Sequence, residues 1–228
     1  MSVPSPTYTG HQEVELALRA VLLDYGMVLT EPPSPAARMA IKNLTGLAED
    51  RLEPLYWAYR SDFDLGNLTG EGFWRKLAAD AGILLSQDTF DALVRYDARM
   101  WMEINQRMVA WQLALKEHGL LTGIVSNMGD TILAAMERDL PWLNRFDVLV
   151  WSYRLRIAKP DPAIYRYALG QLGVAPDEVL FIDDRGENVD AAVASGMKGL
   201  VFTTVEQLRD ELIAQGYDKE LPLPADQV

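Results

Sequence analysis

Five short apolar runs, separated by helix-like stretches, limit what this chain can fold into. The first, Ala20-Val21-Leu22-Leu23, stops at Asp24. Residues 121–125 stop at Ser126-Asn127, and Val179-Leu180-Phe181-Ile182 stops at Asp183-Asp184. Two more runs cover 146–151 and 199–203. Runs this short and continuously apolar read as strands covered on both faces. Strands alternating with helices specify an α/β fold with a parallel sheet. In such sheets ligands bind beyond the carboxyl ends of the strands. Asp24, Ser126 and Asp184 all fall at those ends.

Local signals set the helices. A helix-like pattern covers 131–139, Asp161 caps a helix whose first residue is Pro162, and Thr204 with Gln207 forms a capping box. Lys116-Glu117-His118-Gly119 reads as a helix end, with His118 a cation at the terminus. Between the first two strands, from Pro35 to Gln106, the pattern is mostly helical, with no convincing strand. Thr69 there caps a helix running through Phe73, Trp74 and Leu77, with Glu71 in its first turn. The stretch is too long for one crossover helix and reads as an inserted helical subdomain. The expected division is a discontinuous core of 13–33 and 105–217, a helical insertion of 34–104, and loose tails at 1–12 and 218–228.

Charge narrows the function. With 33 acidic and 21 basic side chains the chain carries a formal net charge of −12. Such a surface repels nucleic-acid backbones and anionic membranes, so neither is an expected partner. The absence of cysteine removes disulfides and thiolate chemistry, and the two histidines, His11 and His118, lie in unrelated contexts. No apolar run is long enough to span a membrane and the start does not read as a secretory signal, so a cytoplasmic location is the expectation.

Four segments carry chemistry. Asp24 ends a strand and is followed by Gly26. Ser126-Asn127 end another. In Lys159-Pro160-Asp161-Pro162 the prolines restrict the residues before them, which holds Lys159 in a defined loop. Asp183-Asp184 directly follow four apolar residues, and carboxylates at a core edge are costly unless cations or hydrogen bonds compensate. A carboxylate nucleophile, a hydroxyl with free amides, a lysine and a metal-binding carboxylate are what phosphoryl transfer requires.

In order and context these segments resemble the haloacid dehalogenase-like superfamily. The signatures are Leu23-Asp24-Tyr25-Gly26-Met27-Val28-Leu29, Ile124-Val125-Ser126-Asn127, Lys159-Pro160-Asp161-Pro162 and Phe181-Ile182-Asp183-Asp184-Arg185-Gly186-Glu187-Asn188. The insertion, with Asp64-Leu65-Gly66-Asn67-Leu68-Thr69, is similar to the helical cap of one branch. The resemblance implies a Rossmann-like core and a magnesium-dependent phosphatase acting on a small phosphorylated metabolite, as monomer or homodimer. It implies that Asp24 forms an aspartyl-phosphate, and that Asp24, the Gly26 carbonyl and Asp184 bind Mg²⁺. Ser126, Asn127 and Lys159 would hold phosphate, with Lys159 also catalytic, while Asp183 and Asn188 support the metal, Asn188 through water. Arg60 and Asp64, flanking the turn before the Thr69 helix, are the cap residues expected to face the substrate.

One position departs from the pattern. The family's phosphatases usually carry a second Asp two residues after the nucleophile, as general acid and base, and here it is Gly26. Esters with good leaving groups, or sugar-1-phosphates, need that proton least. Dehalogenation on the same fold and non-catalytic phosphate binding are the rival readings.

Overall fold

The structure is a computed structural model, and it describes residues 18–225. The chain runs β1 (Ala20–Leu23), α1 (Pro35–Thr45), α2 (Glu49–Asp64), α3 (Gly70–Ala81), α4 (Gln87–Met100), α5 (Gln106–Glu117), β2 (Leu121–Ser126) and α6 (Asp130–Asp139). It continues through β3 (Val148–Trp151), α7 (Ser152–Leu155), α8 (Pro162–Leu172), β4 (Val179–Asp183), α9 (Gly186–Ala194), β5 (Lys198–Val201) and α10 (Val205–Ala214).

The strands form one parallel sheet in the order β3-β2-β1-β4-β5. All four β1 residues are fully buried, because this strand is central and covered on both faces. Successive side chains alternate between two cores. Val21 and Leu23 join the larger one with α5, α10 and the insertion, while Ala20 and Leu22 join the other with α8. From β1 the chain moves outward to β2 and β3, then returns to the other side of β1 for β4. That reversal opens a crevice at the carboxyl end of β1, where α/β sheets bind ligands.

Helices α1 to α4 form the insertion between β1 and β2, and α3 is capped as expected, the Thr69 side chain accepting from the Gly72 amide at 3.0 Å. The insertion is fastened to the sheet domain rather than hung from it. The Ser152 hydroxyl donates to the Asp64 carbonyl at 2.6 Å, and the Gly70 amide donates to the Asp130 carboxylate at 3.0 Å. Gly129 lies so close to Phe63 that a Cβ there would come within 2.3 Å of the ring. Only glycine admits that approach.

Three expectations need correction. β3 and β5 are Val148–Trp151 and Lys198–Val201, so β3 starts two residues later than expected, while β5 starts one residue earlier and ends two earlier. At α10 the Thr204 hydroxyl accepts from the Gln207 amide, but the Gln207 side chain returns to the Thr203 amide and leaves the box half formed. Residues 218–225 are not loose. Leu221 is buried, and the carbonyls of Pro222, Pro224 and Ala225 accept from Trp111, Arg209 and Arg107. A proline-rich stretch with few apolar side chains carries no periodic signal, yet its carbonyls satisfy side-chain donors on α5 and α10. Asp161 caps α8 and His118 follows the last residue of α5, as read. The 1–12 tail and His11 lie outside the described residues. Among those described, no helix is long and apolar enough to cross a membrane.

Candidate active site

The carboxyl ends of β1, β2 and β4 bring together what the sequence scatters. Carboxylate oxygens of Asp24, Asp183 and Asp184 lie within 4.8 Å of one another. Lys159 sits between two of them, its Nζ 2.8 Å from Asp24 Oδ1 and 2.6 Å from Asp183 Oδ2. The lysine side chain is 1% exposed. A buried ammonium is tolerable only with such partners.

The loop carrying Lys159 is held by Asn127, whose side-chain amide donates to the Lys159 carbonyl (2.9 Å) while its oxygen accepts from the Lys159 amide (2.8 Å). Sequence reading placed the Asn127 amide beside phosphate and missed this side-chain clamp. No local signal could reveal it, since the partners are 32 residues apart. Ser126 is buried at the end of β2 and lines the cavity beside Asp24.

Asp183 is committed to the protein. Its Oδ1 accepts from the Arg185 amide and from Asn188 Nδ2, both at 2.9 Å, and its Oδ2 from Lys159. Asn188 thus lies against Asp183. Asp24 and Asp184, by contrast, line a cavity of about 770 Å³ together with Gly26, Ser126, Asn127 and Lys159. An all-oxygen set of this kind suits a hard divalent cation. A smaller cavity of about 280 Å³, reached from Met27 toward Arg107 and Glu206, is lined by none of the clustered aspartates.

One lysine among three carboxylates leaves the cluster short of positive charge. Burial, opposed by Lys159 and reinforced by repulsion from Asp183, pushes the Asp24 carboxyl up to about 7. Asp184 is raised as well, by burial and then by Asp183. Burial would pull Lys159 down, but Asp24 and Asp183 together hold it above the usual lysine value.

A pH dependence follows for protein stripped of divalent ions. Between pH 4 and 7 the folded state keeps a proton on Asp24 that the unfolded chain, with an ordinary value of 3.8, has released. Stability therefore falls as pH rises through that window, by up to about 1.4 kcal/mol per pH unit for one proton. Urea unfolding in EDTA at pH 5 and pH 7 measures the slope, and Asp24→Asn is expected to flatten it. An equal slope in the variant would remove Asp24 as its source.

The cavity's outer wall comes from the insertion. Arg60 and Asp64 both line it, with Trp57, Ser61 and Trp101. Trp57 and Trp101 were not anticipated as lining residues. Arg60 Nε donates to Asp64 Oδ1 at 2.9 Å, its Nη1 donates to the Tyr56 hydroxyl and lies 3.8 Å from Asp97, and Tyr56 donates to Asp97 at 2.8 Å. The guanidinium also stacks 5.4 Å above the Trp101 ring. Trp101 reaches the loop after Asp24 directly. A Cβ on Gly26 would meet its ring at 3.6 and 3.8 Å, and its carbonyl accepts from the Tyr25 hydroxyl at 2.8 Å.

Comparison with known proteins agrees with this geometry. Residues 18–196 match a family model described as haloacid dehalogenase-like hydrolase. The chain is 30% identical to mouse bifunctional epoxide hydrolase 2, over 92% of this chain and 41% of that protein. It is 27% identical to a phosphatase of Mycobacterium tuberculosis, over 87% of this chain and 93% of that one. The chain spans only about two fifths, or less, of the epoxide hydrolases it matches. Among solved structures, a HAD family enzyme from Bacteroides thetaiotaomicron, crystallised as a magnesium complex, superposes with a TM-score of 0.69. The identity is 19%, with 82% of this chain and 94% of that one covered.

Proposed function

Because the chain belongs to the haloacid dehalogenase-like hydrolases, we propose that it is a magnesium-dependent phosphatase that cleaves a small phosphate monoester through an aspartyl-phosphate on Asp24. The observation that supports this best is the cluster itself: Asp24 and Asp184 close enough to share an ion, beside a lysine already wedged between Asp24 and Asp183. Names of relatives point the same way. The M. tuberculosis protein is called a phosphatase, and the B. thetaiotaomicron enzyme was crystallised with magnesium.

In this reading Asp24, the Gly26 carbonyl and Asp184 hold Mg²⁺, which supplies the positive charge that lets a dianionic ester approach an aspartate. An Asp24 oxygen attacks phosphorus, the bond from phosphorus to the ester oxygen breaks, and the electron pair leaves with that oxygen. Water then attacks the phosphorus of the aspartyl-phosphate, which frees phosphate and regenerates the carboxylate. Lys159 balances charge on the transferring oxygens, and Ser126 with the amides around Asn127 holds them. Asp183 positions Lys159, and Asn188 acts through Asp183. The insertion, as a cap, shields the site from water and meets the organic part of the ester.

Gly26 offers no proton to the departing oxygen, so the reading favours esters of acidic alcohols or phenols. The φ of Gly26 is ordinary, and only the Trp101 ring borders the space where a side chain would go. Gly26→Asp is accordingly expected to raise kcat on alkyl phosphates by about 10- to 100-fold, part of the range of general acid–base catalysis. A leaving-group series run on both proteins checks this. An unchanged dependence on leaving-group pKa would count against it.

The decisive assay is phosphate release from p-nitrophenyl phosphate. Turnover with Mg²⁺, lost in EDTA, and capture of beryllium fluoride on Asp24 are the expected results. Metal-independent halide release from 2-chloropropionate would replace phosphatase with dehalogenase. A folded protein that binds phosphate without turnover would make it a binding protein.

A further inference from the structure

We infer that the organic part of the ester is uncharged and presents a broad apolar face, an aryl or comparably apolar alcohol, and that the cavity rejects esters carrying a second anion. The inference rests on the phosphatase reading and narrows its substrate class. It comes from an account of charge in the cavity.

Three cations line the space, and each already has carboxylate partners. Lys159 is held by Asp24 and Asp183 and faces the phosphoryl position. Among the described residues, Arg60 is the only cation lining the insertion's side of the cavity. It is buried against Asp64, Asp97 and Tyr56, and its Nε and Nη1 donate to Asp64 and Tyr56. Two buried carboxylates around one guanidinium offset its positive charge on that side. Arg185, at the rim, pairs with Glu187 at 2.5 Å. Both partners are more than half exposed, so that pair is weak, but Glu187 also lines the cavity and would face any incoming anion.

A carboxylate or second phosphate on the leaving group would thus shed its water, meet Asp64 or Glu187, and find, among the described residues, only cations that already have carboxylate partners. Such like-charge juxtaposition costs several kcal/mol in recognition generally. Met27, Pro33, Trp57, Trp101, Met128 and Pro160 give the wall a broad apolar stretch, beside the polar Ser61, Ser126, Asn127 and Asn188. Trp57 is 49% exposed although it is a large apolar residue, as expected of an aromatic side chain held at a mouth for a ligand to cover. A volume of about 770 Å³ admits far more than phosphate alone.

The test uses benzylphosphonates, which cannot turn over, bearing either a para-carbamoyl or a para-carboxylate group. The two are nearly isosteric and differ in charge. Binding to the full-length protein with Mg²⁺ is followed by tryptophan fluorescence. The carbamoyl compound is expected to bind at least about tenfold more tightly. Asp64→Asn, which releases part of Arg60, should narrow that ratio. Trp57→Ala, a change at an exposed position, should weaken the carbamoyl ligand severalfold. Equal or tighter binding of the carboxylate overturns the inference, as does an unchanged ratio in Asp64→Asn. The matching phosphate esters are then assayed for turnover. Selective binding without turnover of either ester sinks the phosphatase reading while leaving the charge preference intact. Turnover without preference does the reverse.

Discussion

Asp24→Asn is expected to lower magnesium-dependent phosphate release by at least about 10³-fold, because in the proposed mechanism it removes the attacking atom and not merely a contact. The change is nearly isosteric. An Asn oxygen can keep the 2.7 Å bond from the Tyr25 amide and still accept from Lys159. The native carboxyl is held up near 7 by burial and by Asp183, so removing its charge relieves repulsion in the metal-free protein. Activity and stability should therefore separate: turnover collapses while the EDTA-treated variant melts at the same temperature as wild type or higher. Steady-state rates with p-nitrophenyl phosphate and a thermal melt in EDTA provide both readings. Residual activity within tenfold of wild type would place the nucleophile elsewhere.

Lys159→Met should act in the opposite sense, on the fold first. Removing this ammonium leaves Asp24 and Asp183 facing each other in a buried site, with Asp183 keeping only the Arg185 amide and Asn188. Breaking a buried ion pair by deleting one partner typically costs about 3 to 5 kcal/mol. In a domain of this size that corresponds to a melting temperature lower by roughly 10 °C. The deficit should shrink at pH 5, where Asp24 takes up a proton, and grow at pH 8. Denaturant unfolding at the two pH values checks the sign. A pH-independent loss of stability would show that the packing of the lysine stem, and not its charge, holds the loop. Lys159→Arg is not expected to rescue, because a planar guanidinium cannot occupy the space of an ammonium bonded to two convergent carboxylates.

Why the site could be read in outline before its geometry was known is a matter of range. Asp24, Ser126 and Asp184 announce themselves because each ends or directly follows an apolar run, and a buried parallel strand leaves that signal within a few residues. Asp161 and Thr69 are legible for the same reason, as each caps a helix with its own side chain over two or three positions. The half-formed box at Thr204 shows the limit even there, since the Gln207 side chain chose a neighbouring amide.

What the sequence determined alone was the local part: five strands, the helices between them, the insertion, and which polar residues stand at strand ends. Those follow from apolar runs and capping chemistry that act over a handful of residues. Tertiary structure alone decided that Lys159 bridges Asp24 and Asp183, that Asn127 clamps its loop, and that Arg60 lines the cavity while paired with Asp64 beside Asp97. It also decided that residues 218–225 pack. Each of these is a contact between segments far apart along the chain, and nothing periodic in either segment records its partner. Only the folded sheet, by fixing strand order around β1, brings them within hydrogen-bond reach.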